Sequence, residues 1–284
     1  MARPVTVGLD GSPESLAAAG WAAREARLRD APLSLVNAWP GPGQQELAPG
    51  PEVAWQYWAE QALRAARAEL DIDDPGLEIL TAQISGHPAP VLLAAAERSQ
   101  VVVVGSRSIG SVAGFFLGSV GVELAARAAC PVVLVRAQGA DIRRGDVVVG
   151  VHLRGPYDEV LEFAFEAATW RRAALRVMYA GKVPAIWDVA PWAVDVGLRN
   201  ARDEAERTLG DVLARWREDF PGVRVFEETV SDSPSRRLVG ASAGAALMVV
   251  GRGPNRPGLG PRLGPVGQAV AHHAACPVAV VPQR

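Results

Sequence analysis

The chain repeats itself, and that constrains its fold more than any other feature. Residues Ile84–Arg136 lie over Val230–Pro282 without a gap, at a constant offset of 146. Ser85/Ser231, Pro88/Pro234, Leu92/Leu238, Val103-Val104-Gly105/Val249-Val250-Gly251 and Leu117-Gly118/Leu263-Gly264 are identical pairs, as are Ala128-Ala129-Cys130-Pro131-Val132 and Ala274-Ala275-Cys276-Pro277-Val278. The starts also match, with Val7-Gly8 over Val149-Gly150 at an offset of 142. A register held over about 50 residues means one supersecondary plan used twice. A length of 284 residues accommodates two units of about 140 residues, each able to bury its own core. The expected domains are 1–139 and 145–284, joined by the polar, glycine-containing stretch Gln138–Gly145.

Each copy alternates strand and helix patterns. In the first, Val5–Leu9 reads as a strand. Pro13–Arg29 follows as a helix, with Ser12 as its N-cap and Pro13 at the first helical position. Leu33–Ala38, Leu77–Ile84, Val101–Val104 and Val132–Arg136 read as further strands. Val53–Leu70, Ala89–Arg98 and Val120–Ala129 read as helices. The unbroken Val101–Val104 run suits a parallel strand buried on both faces. The second copy repeats the plan, with a longer polar helix near Val194–Phe220. The expectation is an α/β fold of two doubly wound open sheets. Each has five mainly parallel strands flanked by helices, Rossmann-like, in strand order 3-2-1-4-5.

In such sheets ligands sit beyond the carboxyl ends of the strands. Two segments of the first copy converge there: Gly8-Leu9-Asp10-Gly11-Ser12 after strand one, and Gly105 through Ser119 after strand four. Glycines let backbone approach a phosphate chain. The Gly118-Ser119 step opens a helix whose free N–H groups suit an anion. Ser119 reads both as an N-cap and as a further donor. Asp10 reads either as a cap for the helix at Pro13 or as a partner for ribose hydroxyls or a hydrated metal ion. Arg107 is a candidate phosphate neighbour, and Trp39 is either core or a base-stacking ring.

On these residues the chain resembles the universal stress protein family, over nearly its whole length and as two tandem family domains. The family's nucleotide signature is Gly, two residues, Gly, nine residues, Gly, then Ser or Thr. Gly105 fits the first position, Ser108 stands where the second glycine is expected, and Gly118-Ser119 fit the end. The opening Val-Gly-Leu-Asp-Gly-Ser is also typical. The resemblance implies ATP, with or without Mg2+, held by Gly8, Asp10, the backbone near Ala38, the loop Gly105, Ser106, Arg107, Ser108, Ile109, Gly110 and Ser111, and the step Gly118, Ser119 and Val120. It also implies that the two copies pair through their last strands, and a homodimer of tandem chains is expected beyond that.

The second copy departs from the signature. Pro265 stands at the place of Ser119 and has neither hydroxyl nor N–H. His152 falls at the place of Asp10, followed by Leu-Arg-Gly-Pro. A weak, altered or absent second nucleotide site follows, unless Arg154, Arg252 and Arg256 restore anion binding.

Other chemistry finds little support. Net charge is −2 with no basic stripe, against nucleic-acid binding. Apolar runs are strand-sized and no secretory core opens the chain, so a cytoplasmic protein without membrane spans is expected. The one lysine, Lys182, lies outside phosphate-loop spacing. Cys130 and Cys276 read as small buried apolar residues. The adjacent His272 and His273 point to different helix faces, against a metal pair. The reading is an ATP-binding stress or regulatory protein, with at most slow hydrolysis. The alternatives are a scaffold that binds no nucleotide and a nucleotide-using enzyme.

Overall fold

The structure, a computed structural model, describes residues 2–39, 52–73, 75–106, 118–137, 145–153, 155–179, 191–229, 233–253 and 263–283. The first half runs β1 (Val5–Gly8), α1 (Pro13–Leu28), β2 (Leu33–Trp39), α2 (Glu52–Asp73), β3 (Ile79–Ser85), α3 (Pro88–Ala96), β4 (Val101–Gly105), α4 (Ser119–Arg127) and β5 (Val132–Val135). The second runs β6 (Val147–Val151), α5 (Asp158–Arg171), β7 (Leu175–Tyr179), α6 (Pro191–Asp219), β8 (Val225–Thr229), α7 (Pro234–Ala241), β9 (Leu247–Arg252), α8 (Pro265–His273) and β10 (Val278–Pro282).

Each half has the expected strand order, 3-2-1-4-5. The two sheets are not separate, however. They form one ten-stranded sheet, β3-β2-β1-β4-β5-β10-β9-β6-β7-β8. All neighbours are parallel except β5 and β10, which run antiparallel with Val133 opposite Ala279, its counterpart in the repeat. The seam therefore lies on a local two-fold axis.

Sequence explains why the sheet is buried on both faces. Val101 and Val103 pack into one apolar cluster, and Val102 and Val104 into the other. An alternating polar strand could not do this. Both clusters draw residues from both halves, so the halves share cores on each side of the sheet.

Side chains also cross between the halves. Arg136 donates to the Ala271 carbonyl (2.9 Å) and Arg252 to the Ala128 carbonyl (2.8 Å), each capping a helix end of the opposite half. On the other face, Glu25 of α1 is 1% exposed and pairs with Arg29 (2.7 Å) and with Arg171 of α5. The Arg29 guanidinium lies 4.4 Å from the Trp170 ring centre and 5.2 Å from that of Phe163, both on α5.

Glu166 of α5 sits at this junction. Burial pushes its carboxyl above the ordinary range, Arg29 pulls it back, and Glu162 pushes it up again. A carboxyl whose pKa is higher folded than unfolded binds its proton more tightly in the fold. Its stabilising contribution is complete below the unfolded value and is lost as pH rises through the folded one. Glu166→Gln is therefore expected to raise thermal stability at pH 7 by a few degrees at most, less than about 1 kcal/mol. The gain should vanish near pH 4. Melting curves of both proteins from pH 4 to 8 check this.

Candidate functional site

Beyond the carboxyl ends of β1, β2 and β4 the first half opens a cavity of about 330 Å3. Of the residues expected at a ligand, Gly8, Asp10, Ala38, Gly105, Gly118, Ser119 and Val120 line it together. Ser106 does not. It is buried, with its N–H on the Val135 carbonyl (2.7 Å) and its hydroxyl unpartnered. Arg107, Ser108, Ile109, Gly110 and Ser111 lie outside the described residues. Leu9, Ser12, Ser15, Val36, Pro88, Leu92, Val104 and Gly121 complete the lining. Sequence reasoning placed Leu9 and Ser12 on the converging segment after strand one but left out the others, although Pro88 and Leu92 were identical pairs of the repeat. Trp39 is the half-buried last residue of β2 and is not in the lining.

Asp10 holds the β1–α1 turn. Its carboxylate accepts from the Ser12 amide (2.9 Å) and hydroxyl (2.5 Å). Ser12 is the N-cap of α1, its own hydroxyl accepting from the Ser15 amide. Gly11 between them has φ +80°, so a side chain there would be strained. Asn37 anchors the turn from behind, donating to the Leu9 carbonyl (2.8 Å).

Gly105 lines the cavity and has a packing role besides the one its position in the glycine pattern suggests. A Cβ there would stand 2.6–2.8 Å from backbone atoms of Glu14 and Ser15. Only a glycine lets the first turn of α1 sit on the end of β4.

The α4 entrance is one residue off the reading from sequence. Gly118 is the N-cap and Ser119 is the first helical residue. No side chain caps this end. The first intrahelical bond is Val122 N–H to the Gly118 carbonyl (3.0 Å), so the amides of Ser119, Val120 and Gly121 precede the ladder. All three residues line the cavity. A Cβ on Gly118 would meet nothing within 4 Å. The chemistry of this cavity is a helix entrance rich in donors, one carboxylate, and an apolar wall of Val36, Leu92 and Val104.

The equivalent cavity of the second half is smaller, about 170 Å3. Pro265 opens α8 at the place of Ser119. The Gln283 side chain lies against Gly251, 2.8 Å from where a Cβ would be, and its amide donates to the Pro156 carbonyl. Of the arginines that were the alternative for anion binding, Arg252 turns its guanidinium to the Ala128 carbonyl in the other half. Arg154 and Arg256 lie outside the described residues.

Neither cysteine has nucleophilic character. Burial pushes the Cys130 thiol to about 11 and the Cys276 thiol to about 12. No cluster of potential metal ligands occurs among the described residues, where no helix is long and apolar enough to cross a membrane either.

Fold and cavity together define a tandem of doubly wound α/β units sharing one sheet, the first with a cavity at the carboxyl ends of its strands. The family model described as "Universal stress protein family" matches residues 1–136 and again 144–282. The chain belongs to the universal stress protein family. It is 33% identical to universal stress protein Rv2005c of Mycobacterium tuberculosis, the alignment covering 98% of this chain and 97% of that one. A universal stress protein of Mycolicibacterium smegmatis is 32% identical over 99% and 97% of the two chains. The crystal structure of a universal stress protein from Archaeoglobus fulgidus superposes over the full length of both chains with a TM-score of 0.75. At 14% identity that likeness speaks for the fold.

Proposed function

We propose that this protein binds one ATP per chain in the N-terminal cavity and acts as a nucleotide-responsive regulatory protein. The observation that carries this is the entrance of α4, uncapped by any side chain among the described residues, with Gly118, Ser119 and Val120 opening into a cavity that also holds Asp10. Three amides and a hydroxyl suit a phosphate chain, and the missing Cβ at Gly118 leaves room for it. The volume lies in the range of ligand sites. The apolar wall of Val36 and Leu92 suits a base. Asp10 is the only carboxylate among the described lining residues. A Mg2+ ion would thus be held mainly by the phosphates and water, with Asp10 as its protein partner.

Held in its turn by Ser12, Asp10 is suited to orient a ligand rather than to cycle a proton, which favours binding over turnover. The functional units are 1–139 and 145–284, clasped in solution through β5 and β10. Since that pairing uses both last strands, a homodimer of tandem chains would need another surface. The expected setting is the cytoplasm.

Ser119→Pro tests the reading with the protein's own substitution. Gly118 has φ −58° and ψ 155°, a conformation that accepts a following proline, and Gly264 before Pro265 is nearly the same. The helix should persist while a hydroxyl and an amide donor are lost. Hydrogen bonds to charged groups contribute about 1.5–3 kcal/mol each, so losing both should weaken ATP binding by roughly 100–10,000-fold with an unchanged melting temperature. Equilibrium dialysis on the wild type should give one site. No saturable ATP binding, or two equal sites, contradicts the proposal.

A further inference from the structure

We propose that the C-terminal cavity is a second binding site of different chemistry, taking a small neutral aromatic molecule the size of a single ring. Its position matches the N-terminal cavity, but its contents do not. Among the described residues lining it there is no Asp, Glu, Lys or Arg, and its one ionisable imidazole, that of His152, belongs to an exposed residue. A charged group deep in the cavity would find no fixed counter-charge there, which is costly. Pro265 withholds the donors that Ser119 presents in the first half, and the Gln283 carboxamide occupies the floor beside Gly251. A phosphate chain finds fewer donors here than in the first half, only the amides of Val266 and Gly267 remaining at the helix entrance, and about half the room.

What remains favours an apolar guest. Val151, Val160, Met178, Leu238, Val250 and Val266 form the walls. The volume of about 170 Å3 is close to the ~150 Å3 of an engineered apolar cavity that stays dry and takes benzene. Met178 brings a polarizable sulfur that suits a ring. Tyr157 and Gln283 add polar atoms at the wall, enough to orient one hydroxyl or amide on the guest. In the first half the first turn of α1 closes on Gly105, whereas here the Gln283 side chain lies against Gly251 and donates to the Pro156 carbonyl.

Phenol serves as the probe, on the full chain, by ligand-observed NMR titration. Saturable binding with a dissociation constant of about 1 mM is expected for so small a ligand. ATP and tripolyphosphate should not displace it, and Ser119→Pro should leave it unchanged even if ATP binding is lost or was never present. Val266→Phe, which fills the cavity from the half-buried second position of α8, should abolish it. Gln283→Ala removes the floor and should admit indole, which the wild type takes poorly. This second variant keeps the test open if Val266→Phe misfolds. Absence of saturable phenol binding, displacement by ATP or tripolyphosphate, undiminished binding in folded Val266→Phe, or no gain for indole in Gln283→Ala would each overturn the proposal.

Discussion

Glu25→Ala should lower stability by about 3–5 kcal/mol, the usual cost of removing one partner from a buried ion pair. The carboxylate is 1% exposed and serves two guanidiniums, Arg29 at 4% and Arg171 at 13% exposure. Its loss leaves two positive charges facing each other in a desolvated junction. One of them already has a nitrogen, Arg29 Nη2, without a hydrogen-bond partner. The aromatic rings of Trp170 and Phe163 offset part of that charge but cannot replace a carboxylate. Arg171 belongs to the second half, so the damage falls on the contact between halves as well as on α1. Differential scanning calorimetry should show a melting temperature lower by on the order of 10 °C, with the transition broadened or split. A shift of a degree or less would mean that this cluster contributes little to holding the halves together.

Gly105→Ala should cost about 1–3 kcal/mol, and Gly251→Ala clearly less, although the two glycines are repeat counterparts. A methyl at Gly105 meets backbone of Glu14 and Ser15, which cannot move without shifting the first turn of α1. At Gly251 the nearest atoms are those of the Gln283 side chain, which can rotate away. The Gly105 substitution also displaces the Asp10–Ser12 turn beside the cavity, so ATP affinity should fall together with stability. Urea unfolding and ATP titration of both variants check this. Equal destabilisation by the two substitutions would refute the distinction.

These two expectations lie at the limit of what sequence could provide. The repeat was legible because its register is constant, and it carried the strand order from one half to the other. The Val101–Val104 run announced a doubly buried strand because no polar residue interrupts it. Asp10, Gly118 and Ser119 were legible as neighbours because the fold class brings the ends of strands one and four together. By contrast, Gly105 looked like a phosphate-loop glycine, and its contact with α1 depends on packing that no spacing reveals. Arg252 looked available to an anion until the path of its side chain across the seam was known. Gln283 gave no signal at all. Its role arises from where its side chain lands, against Gly251 and on the Pro156 carbonyl, which no residue pattern announces. The N-cap at Gly118 rather than Ser119 is a one-residue displacement of the kind that residue preference cannot resolve.

The antiparallel seam between β5 and β10 has an evolutionary consequence. In an assembly of identical subunits every substitution appears in all copies, so a site cannot be given up on one side and retained on the other. Covalent fusion lifts that constraint. Pro265 and Gln283 could arise in one half while Ser119 and Gly118 stayed in the other, and the shared sheet kept both halves folded as they diverged.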